Sequence, residues 1–263
     1  MGAGDEHPRS TYRDFWAKVG HEFPDLDGAA STHYYAENEQ RLFSEHLAPL
    51  NGLKILKTDL WDEAKNTRIL AWSAAQGACA YGVDISEPTV IQARRAFHGN
   101  PLRCAVSDVR ALPFRDSSFD AIYSMGTIEH FDETEHAVKE MARVLKPGGR
   151  AIVGVPNRHD PFLRPLLAAV LQATGLYGYG YEKSYSRRGL REMLERAGLT
   201  VVAETAILFI PGWLRMLDLA CHAWCRPLTG LTRACIWPFV FLDRHVPAVR
   251  RHGYMLATVV TKR

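Results

Sequence analysis

The sequence predicts an α/β fold built on a doubly wound, mostly parallel sheet of seven strands. Apolar runs alternate with helical patterns along most of the chain, and that order is typical of a parallel sheet. One apolar run ends in Gly82-Val83-Asp84, and a second acid, Asp108, follows 24 residues later. In a doubly wound sheet, such acids lie at the strand ends where ligands bind.

The positions of helices and strands follow from apolar periodicity and from the residues that stop each element. Pro88 lies in the first turn of one predicted helix, and Gly77 and Gly198 end two others. The predicted helices cover 32–47, 62–76, 88–97, 133–145 and 186–197, and the predicted strands cover 53–56, 79–84, 102–106, 121–124, 150–155, 200–207 and 254–261.

Length and composition predict one globular domain with an extension and two insertions. The 263 residues are 47% hydrophobic, which suffices for a sizeable core. We assign 1–50 to an N-terminal arm and lid helix and 51–263 to the main domain, with insertions at about 158–185 and 209–249. The polar N-terminus and the lack of a long apolar run lead us to expect a cytoplasmic protein.

Three segments in combination carry a family resemblance. They read YGVDIS (81–86), SDVRALPFRDSSFDAIYSMGTIEHFDE (107–133) and EMARVLKPGGRAIVGVPN (140–157). Over residues 55–157 the chain resembles class I S-adenosylmethionine-dependent methyltransferases. The resemblance implies a Rossmann-like fold with S-adenosyl-L-methionine as the cofactor.

The two acids are the predicted nucleoside ligands. Asp84 is expected to accept both ribose hydroxyls, because Ser86 can take the alternative role of capping the next helix. Asp108 is expected to accept from the adenine amino group, unless it is only a surface turn acid. Further cofactor contacts are predicted for Tyr35, Ile85, Val109 and Met125.

The chain departs from the family pattern directly after strand one. The family has a glycine-rich turn there, whereas residues 53–76 contain no glycine. Two explanations stay open: side chains have rebuilt the loop, or the site no longer binds the cofactor. In a rebuilt loop, the methionine ammonium would be held by Asp59, Asp62 or Glu63, and its carboxylate by Lys57 or Thr58.

The segment after strand four contains the candidate catalytic residues. In the family this segment lies between cofactor and substrate, which makes Glu129 and His130 candidate general bases. A histidine with a pKa near about 6.5 accepts protons around neutrality. The alternative is structural, with both side chains capping the helix or pairing with each other.

Aromatic residues outside the core pattern are the candidate substrate contacts. A helix over 211–224 would group its tryptophans and leucines on one face. That face either covers a substrate pocket or meets a membrane or a lipid-like acceptor. The predicted substrate-binding residues are Tyr34, Tyr179, Tyr181, Tyr185 and Trp213.

These observations predict methyl transfer to an oxygen or carbon of an apolar or amphipathic small molecule. A non-catalytic partner subunit of this fold and a cofactor-retaining enzyme of another type, such as a cyclase, remain alternatives. We expect no metal site and no nucleic-acid partner, since the basic residues are spread among apolar positions. Residues 205–263 carry eight Lys/Arg and two acids, so peripheral membrane contact stays open, as does the oligomeric state.

Overall fold

The computed structural model describes residues 9–97, 102–175 and 177–263. One seven-stranded sheet forms its centre. The strands are β1 (Lys54–Lys57), β2 (Cys79–Asp84), β3 (Arg103–Val106), β4 (Phe119–Met125), β5 (Leu145–Pro156), β6 (Leu199–Ile207) and β7 (Met255–Lys262).

The strand order is β3-β2-β1-β4-β5-β7-β6. The pairs from β3 to β5 are parallel, and β7 runs antiparallel to both β5 and β6. The predicted doubly wound, mostly parallel seven-stranded sheet is therefore confirmed.

Ten α-helices lie among the described residues. Two precede the sheet, and three lie within the predicted insertions. They are α1 (Arg9–Glu22), α2 (Ala30–His46), α3 (Trp61–Lys65), α4 (Ile69–Ala75), α5 (Glu87–Ala96), α6 (Thr134–Val144), α7 (Arg164–Ala173), α8 (Arg187–Arg196), α9 (Gly212–Trp224) and α10 (Thr229–His245).

The predicted continuous helix over 62–76 is wrong. The chain forms α3 and α4 instead, and the break falls at Arg68, whose φ of 55° is left-handed. Glu63 stabilises the second helix, because its carboxylate accepts from the free amide of Leu70 at 2.8 Å. Apolar spacing alone does not show such a break.

The core lies on both faces of the sheet. Alternate strand residues point to opposite faces, so Ile55, Tyr123 and Ile152 belong to one buried cluster. Their neighbours Leu56 and Ile122 belong to the other cluster. The sheet is thus covered by helices on both sides, as a parallel sheet requires.

The topology brings the informative segments to one edge of the sheet. The parallel strands β1, β2, β3 and β4 end at this edge. The insertions that contain α7, α9 and α10 follow β5 and β6, whose directions also lead to it. Ligands bind at this edge in doubly wound folds.

Candidate cofactor and acceptor site

A large cleft opens at the ligand edge of the sheet. It encloses about 1290 Å³ of non-protein space, part of it open to solvent. The strand ends form its floor, while α1, α7 and α9 supply residues to its walls. Its lining includes Thr58, Asp59, Asp84, Ile85, Asp108, Val109, Met125, Glu129, His130, Tyr35 and Tyr179 among the predicted site residues.

Asp84 lies at the end of β2 and is held by backbone amides. Its Oδ2 accepts from the Leu60 amide at 2.8 Å, and its Oδ1 accepts from the Ser86 amide at 2.8 Å. Burial raises the pKa of Asp84 to about 7, and these two amides oppose the shift. The Ser86 side chain accepts from the Thr89 amide and caps α5. The carboxylate of Asp84 is therefore not needed as a helix cap and lines the cleft.

Asp108 follows β3 and is clamped by Arg110, which the sequence analysis did not identify. The Arg110 Nε donates to Oδ1 at 2.9 Å, and Nη2 donates to Oδ2 at 2.7 Å. The same guanidinium lies over the Tyr12 ring of α1 and the Phe131 ring, with its Cζ 5.4 and 4.9 Å from their centroids. This clamp fixes the direction of the carboxylate and connects α1 to the site.

The loop after β1 contains a buried ion-pair cluster instead of glycines. The Lys57 Nζ donates to the carboxylates of Asp59 at 2.8 Å and Asp62 at 3.2 Å, and the Lys57 side chain is fully buried. Burial opposes the charge of Lys57, but the neighbouring carboxylates outweigh it and raise its pKa. Glu63 also faces inward, and burial raises its pKa to about 7. Lys57 therefore neutralises its own loop and does not line the cleft.

The same loop presents polar side chains to the cleft. Asp59 Oδ2 accepts from the Thr127 hydroxyl at 2.9 Å, and Thr58 Oγ1 lies 3.1 Å from Thr127 Oγ1. Burial raises the pKa of Asp59, and the positive charge of Lys57 acts against this increase. Leu60 packs where a side chain on Gly82 would stand. A glycine in β2 thus provides the space that a larger residue in this loop requires.

Glu129 and His130 form a short 3₁₀ helix, Ile128–His130, beyond β4. Glu129 is buried, its Oε2 has no hydrogen-bond partner among the described residues, and burial together with nearby Glu182 raises its pKa well above the usual range. His130 Nδ1 lies 2.8 Å from the carbonyl oxygen of Tyr181, and burial lowers the pKa of the imidazole. Burial therefore disfavours the charged forms of both predicted bases, whose side chains line the cleft.

The cleft also contains a second buried ion pair. Arg164 of α7 donates through Nη2 to Glu182 Oε1 at 2.5 Å, and Tyr177 donates to Glu182 Oε2 at 2.6 Å. The guanidinium Nε and Nη1 have no hydrogen-bond partner within the described chain, although they are buried. Its Cζ lies 4.3 Å from the ring centroid of Tyr254.

Carboxylate oxygens and the imidazole nitrogen of this region also lie close together. One ligand atom each from Glu129, His130 and Glu182 falls within 4.8 Å of the others. Glu182 is already bound by Arg164 and Tyr177, and this arrangement fits a hydrogen-bonded network better than a metal centre, whose ligands need free lone pairs.

Arg215 of α9 is the other arginine in the lining of the cleft. Its Cζ lies 5.0 Å from the Tyr35 ring centroid and 5.4 Å from that of Tyr254. Among the described residues, no carboxylate lies within ion-pair distance of it. Arg164 and Arg215 each stand in an otherwise apolar segment, and that contrast is the sequence signal by which they could have been found.

Aromatic side chains of the N-terminal helix cover the cleft. The Trp16 ring of α1 packs edge-on against His130 with centroids 4.8 Å apart, and Phe23 lies 5.1 Å from the Tyr179 ring. Phe15 of α1 packs closely against Gly180. A Cβ at that position would lie only 2.8 Å from Phe15 Cζ, so a glycine is needed there. Helix α1, which the sequence analysis did not predict, therefore lies over the cleft, and residues 1–8 lie outside the described chain.

Five predicted site residues do not line the cleft. Lys57 lies beneath it. Tyr34 is buried, and its hydroxyl accepts from the Phe209 amide at 3.1 Å. Tyr185 contacts Thr134 through its hydroxyl. Tyr181 and Trp213 are each 56% exposed on the outer surface. Direct ligand contacts by these side chains would need a rearrangement of their surroundings.

Comparison with known proteins agrees with this architecture. Among solved structures, magnesium protoporphyrin IX methyltransferase from Synechocystis, with bound S-adenosylhomocysteine, matches with a TM-score of 0.58 at 15% identity. The match covers 97% of this chain and 95% of that one. A likeness at this identity establishes the fold, which is that of class I S-adenosylmethionine-dependent methyltransferases.

The sequence comparisons match part of the chain to a family model. Residues 43–153 match the family model described as a methyltransferase domain. This match covers less than half of the chain and agrees with the predicted class I methyltransferase, a class whose cofactor is S-adenosylmethionine.

Two curated relatives match over parts of their sequences. The probable tRNA methyltransferase 9B of Bos taurus is 39% identical over 99 residues, which are 32% of this chain and 22% of the relative. The 2-methyl-6-phytyl-1,4-hydroquinone methyltransferase of Synechocystis sp. is 28% identical over 186 residues, 64% of this chain and 56% of that relative. The chain thus spans less than two thirds of the length of either relative.

Proposed function

We propose that this protein transfers the methyl group of S-adenosylmethionine to an amphipathic small molecule. One observation carries the proposal: Asp84 and Asp108, from the ends of adjacent strands, line the same cleft as Glu129 and His130. A nucleoside held by the two acids would lie beside the two candidate bases.

The residues in the cleft fit the cofactor. Asp84 binds the ribose hydroxyls in this proposal, because each of its oxygens has a lone pair beyond the one used by a backbone amide. Asp108, oriented by its hydrogen bonds from Arg110, faces the adenine edge in this proposal, and Ile85 and Val109 lie beside the ring. S-adenosylmethionine supplies an electrophilic methyl group on a positively charged sulfur. The rebuilt-loop explanation is the one we adopt, since Thr58 and Asp59 line an open cleft.

The methionine end needs one anionic and one cationic partner. We assign its ammonium to the carboxylates of Asp59 and Asp62, which line the cleft. Lys57 neutralises these acids from below and does not reach the ligand. We assign the carboxylate to Arg215, which lies against Tyr35 and has no ion-pair partner among the described residues.

Acceptor chemistry centres on His130 and Glu129. An oxygen or carbon nucleophile would take the methyl group and lose a proton in or after the same step. Neutral His130 accepts that proton, because burial has lowered its pKa. Positioning of acceptor and cofactor in a covered cleft supplies the remaining rate increase.

The walls of the cleft favour an acceptor with a polar head and an apolar body. Aromatic and aliphatic side chains surround the acceptor side, including Trp61, Tyr179 and Met216. Polar groups are grouped at one end, around Arg164 and Glu182. The Synechocystis relative, named for a phytyl hydroquinone, supports the same class of lipid-like acceptor.

Calorimetry with S-adenosylmethionine and S-adenosylhomocysteine tests the cofactor assignment. The proposal expects saturable binding of both compounds at one site. A chain that binds neither is a non-catalytic partner of this fold. With binding established, a prenylated hydroquinone is offered as the acceptor and its product is analysed by mass spectrometry. The product should be heavier by one CH₂, whereas an unmethylated, rearranged product would indicate a cyclase.

A further inference from the structure

The helices between β6 and β7 expose a large apolar surface, which we call the apolar flank. It consists of the outward faces of α9 and α10. Most globular proteins expose apolar residues singly, and a contiguous patch marks an interaction site. The exposed large apolar residues of this region are Trp213, Met216, Leu217, Trp224, Leu228, Leu231, Trp237, Phe241, Leu242 and Val246.

Helix α9 presents three different faces. At about 100° per residue, Trp213, Leu217 and Trp224 fall on one stripe, and Trp224 is 77% exposed. Leu214 and Cys221 fall on the buried face. The third face, with Arg215 and Leu219, lines the cleft, and Met216 at its border both lines the cleft and is 39% exposed. The exposed stripe is therefore one helix width from the proposed acceptor site.

Helix α10 exposes a ladder of stacked rings. Trp237 and Phe241 lie 5.4 Å apart at 28°, and Phe241 and His245 lie 4.2 Å apart at 26°. All three side chains belong to the exposed face of the helix. Such a face of rings matches the boundary between headgroups and acyl chains, where aromatic side chains with a polar edge are enriched.

The exposed charged side chains of α9, α10 and the turn between them are all positive. The two acids of this region are buried: Asp218 accepts from the Thr232 hydroxyl at 2.6 Å, and Asp243 pairs with Arg41 at 2.9 Å. The exposed charges of the two helices are arginines. Arg244 pairs with Glu37 of α2, whereas Arg226 and Arg233 stand beside the apolar flank without an ion pair among the described residues. A basic rim around an apolar face is complementary to an anionic bilayer.

We propose that the apolar flank docks on the surface of an anionic membrane, with α9 and α10 lying in the headgroup region. Among the described residues, no helix combines the length and apolarity needed to cross a bilayer, so the attachment is lateral. The cleft face of α9 would then open beside the lipid phase, from which an amphipathic acceptor could enter. This entry route rests on the proposed function, whereas docking itself does not.

Vesicle binding measures the docking without cofactor or activity. Co-sedimentation uses vesicles of phosphatidylcholine alone and of phosphatidylcholine mixed with phosphatidylglycerol. We expect binding to the mixed vesicles that weakens with added salt. The double variant Trp224→Gln/Trp237→Gln should bind about tenfold more weakly or worse, since both rings insert. The variant Arg226→Gln/Arg233→Gln should lose about fivefold per charge and only with the anionic vesicles.

Matched substitutions elsewhere serve as controls. Ile91 and Val202 are exposed apolar residues away from the apolar flank, and Ile91→Gln/Val202→Gln should bind vesicles like the unmodified chain. Arg95→Gln is the control for charge. Failure of the unmodified chain to bind mixed vesicles overturns the proposal. A chain that is dimeric by light scattering and becomes monomeric in the tryptophan variant overturns it as well, because the surface would then be an interface between copies.

Discussion

Lys57 and Asp59, two residues apart at the end of β1, form an ion pair of 2.8 Å with the lysine side chain fully buried. The family resemblance leads one to expect a flexible glycine turn at this point. This chain has instead a lysine that holds two carboxylates in place, and one of them, Asp59, forms part of the cleft wall. The cost of burying these charges is balanced only while all partners are present.

Removal of the lysine charge should therefore destabilise the protein strongly. We expect Lys57→Met to lower the free energy of unfolding by about 3 kcal/mol or more, because Asp59 and Asp62 remain buried without their cation. The loss should be smaller at about pH 5 than at about pH 8, since burial raises the pKa of Asp59 and protonation of this acid removes the penalty as pH falls. Denaturant unfolding at the two pH values measures both effects.

The control for that variant lies on the same strand. Lys54 is exposed, and only its backbone amide is bound, to Asp120 at 2.9 Å. Lys54→Met should change the free energy of unfolding by less than about 0.5 kcal/mol. Equal losses in the two variants would show that the buried ion pair is not the source of the effect.

Asp84 should control the affinity for the cofactor. We expect Asp84→Ala to weaken binding of S-adenosylmethionine about 100-fold or more, since two hydrogen bonds from ribose to a charged acceptor are lost. Thermal unfolding shows whether the Asp84→Ala variant folds. Asp84→Asn keeps a hydrogen-bond acceptor for one of the two backbone amides but lacks the charge, so it separates the loss of cofactor binding from a loss of stability. Asp120→Ala removes an acid at the opposite edge of the sheet and should bind normally. Normal binding by both Asp84 variants would show that the nucleoside lies elsewhere.

Cofactor affinity should also depend on pH. Burial raises the pKa of Asp84 to about 7, whereas ribose hydroxyls that donate to the carboxylate favour its ionised form. Binding should therefore release a proton and strengthen as pH rises through 7, with affinity about tenfold lower at pH 6 than at pH 8. Calorimetry in buffers with different ionisation enthalpies measures the released proton directly. Proton uptake on binding would contradict the assignment.

The sequence alone predicted the sheet, its acids and the cleft segment after β4, because those features depend on local periodicity and on the chain order of parallel strands. It did not predict the roles of Arg110, Arg164 or Arg215. Arg110 is only two residues from Asp108, but that spacing does not reveal the clamp or the contacts with the Tyr12 and Phe131 rings. Arg164 and Arg215 contact residues distant in sequence, and only their position in apolar segments distinguishes them. The sequence also does not show which way Lys57 points. A charged residue at the end of a strand can face a ligand, the solvent or buried acids, and the sequence pattern is the same in each case.

His130 should contribute to turnover and not to cofactor affinity. We expect His130→Gln to lower kcat about 100-fold while the Kd of S-adenosylmethionine stays unchanged. The pKa of His130 lies below the ordinary 6.5. At saturating cofactor, the kcat of the unmodified enzyme should therefore be level near neutrality and fall on the acid side as the imidazole gains its proton. Loss of that acid limb in His130→Gln would identify its source.

The matched controls for this variant are His136→Gln, at an exposed histidine, and Glu129→Gln, at the neighbouring buried acid. His136→Gln should leave kcat unchanged. A large loss of kcat in Glu129→Gln with none in His130→Gln would transfer the role of base to the glutamate. Loss of cofactor binding in either variant would instead indicate a structural role for this segment.

Arg215 offers the sharpest test of how an inserted helix completes the cofactor site. We expect Arg215→Met to weaken S-adenosylmethionine binding by about tenfold or more, because a charge-assisted hydrogen bond to the methionine carboxylate is lost. The decarboxylated form of the cofactor lacks that group, so it should bind the variant and the unmodified chain equally. Arg226→Met, on the same insertion but outside the cleft, should change neither Kd. Equal weakening for both cofactor forms would mean that Arg215 acts through Tyr35 and Tyr254, whose rings it covers, and that the carboxylate has another partner. The difference between the two ligands therefore separates a direct contact from a structural one, which loss of affinity for S-adenosylmethionine alone would not do.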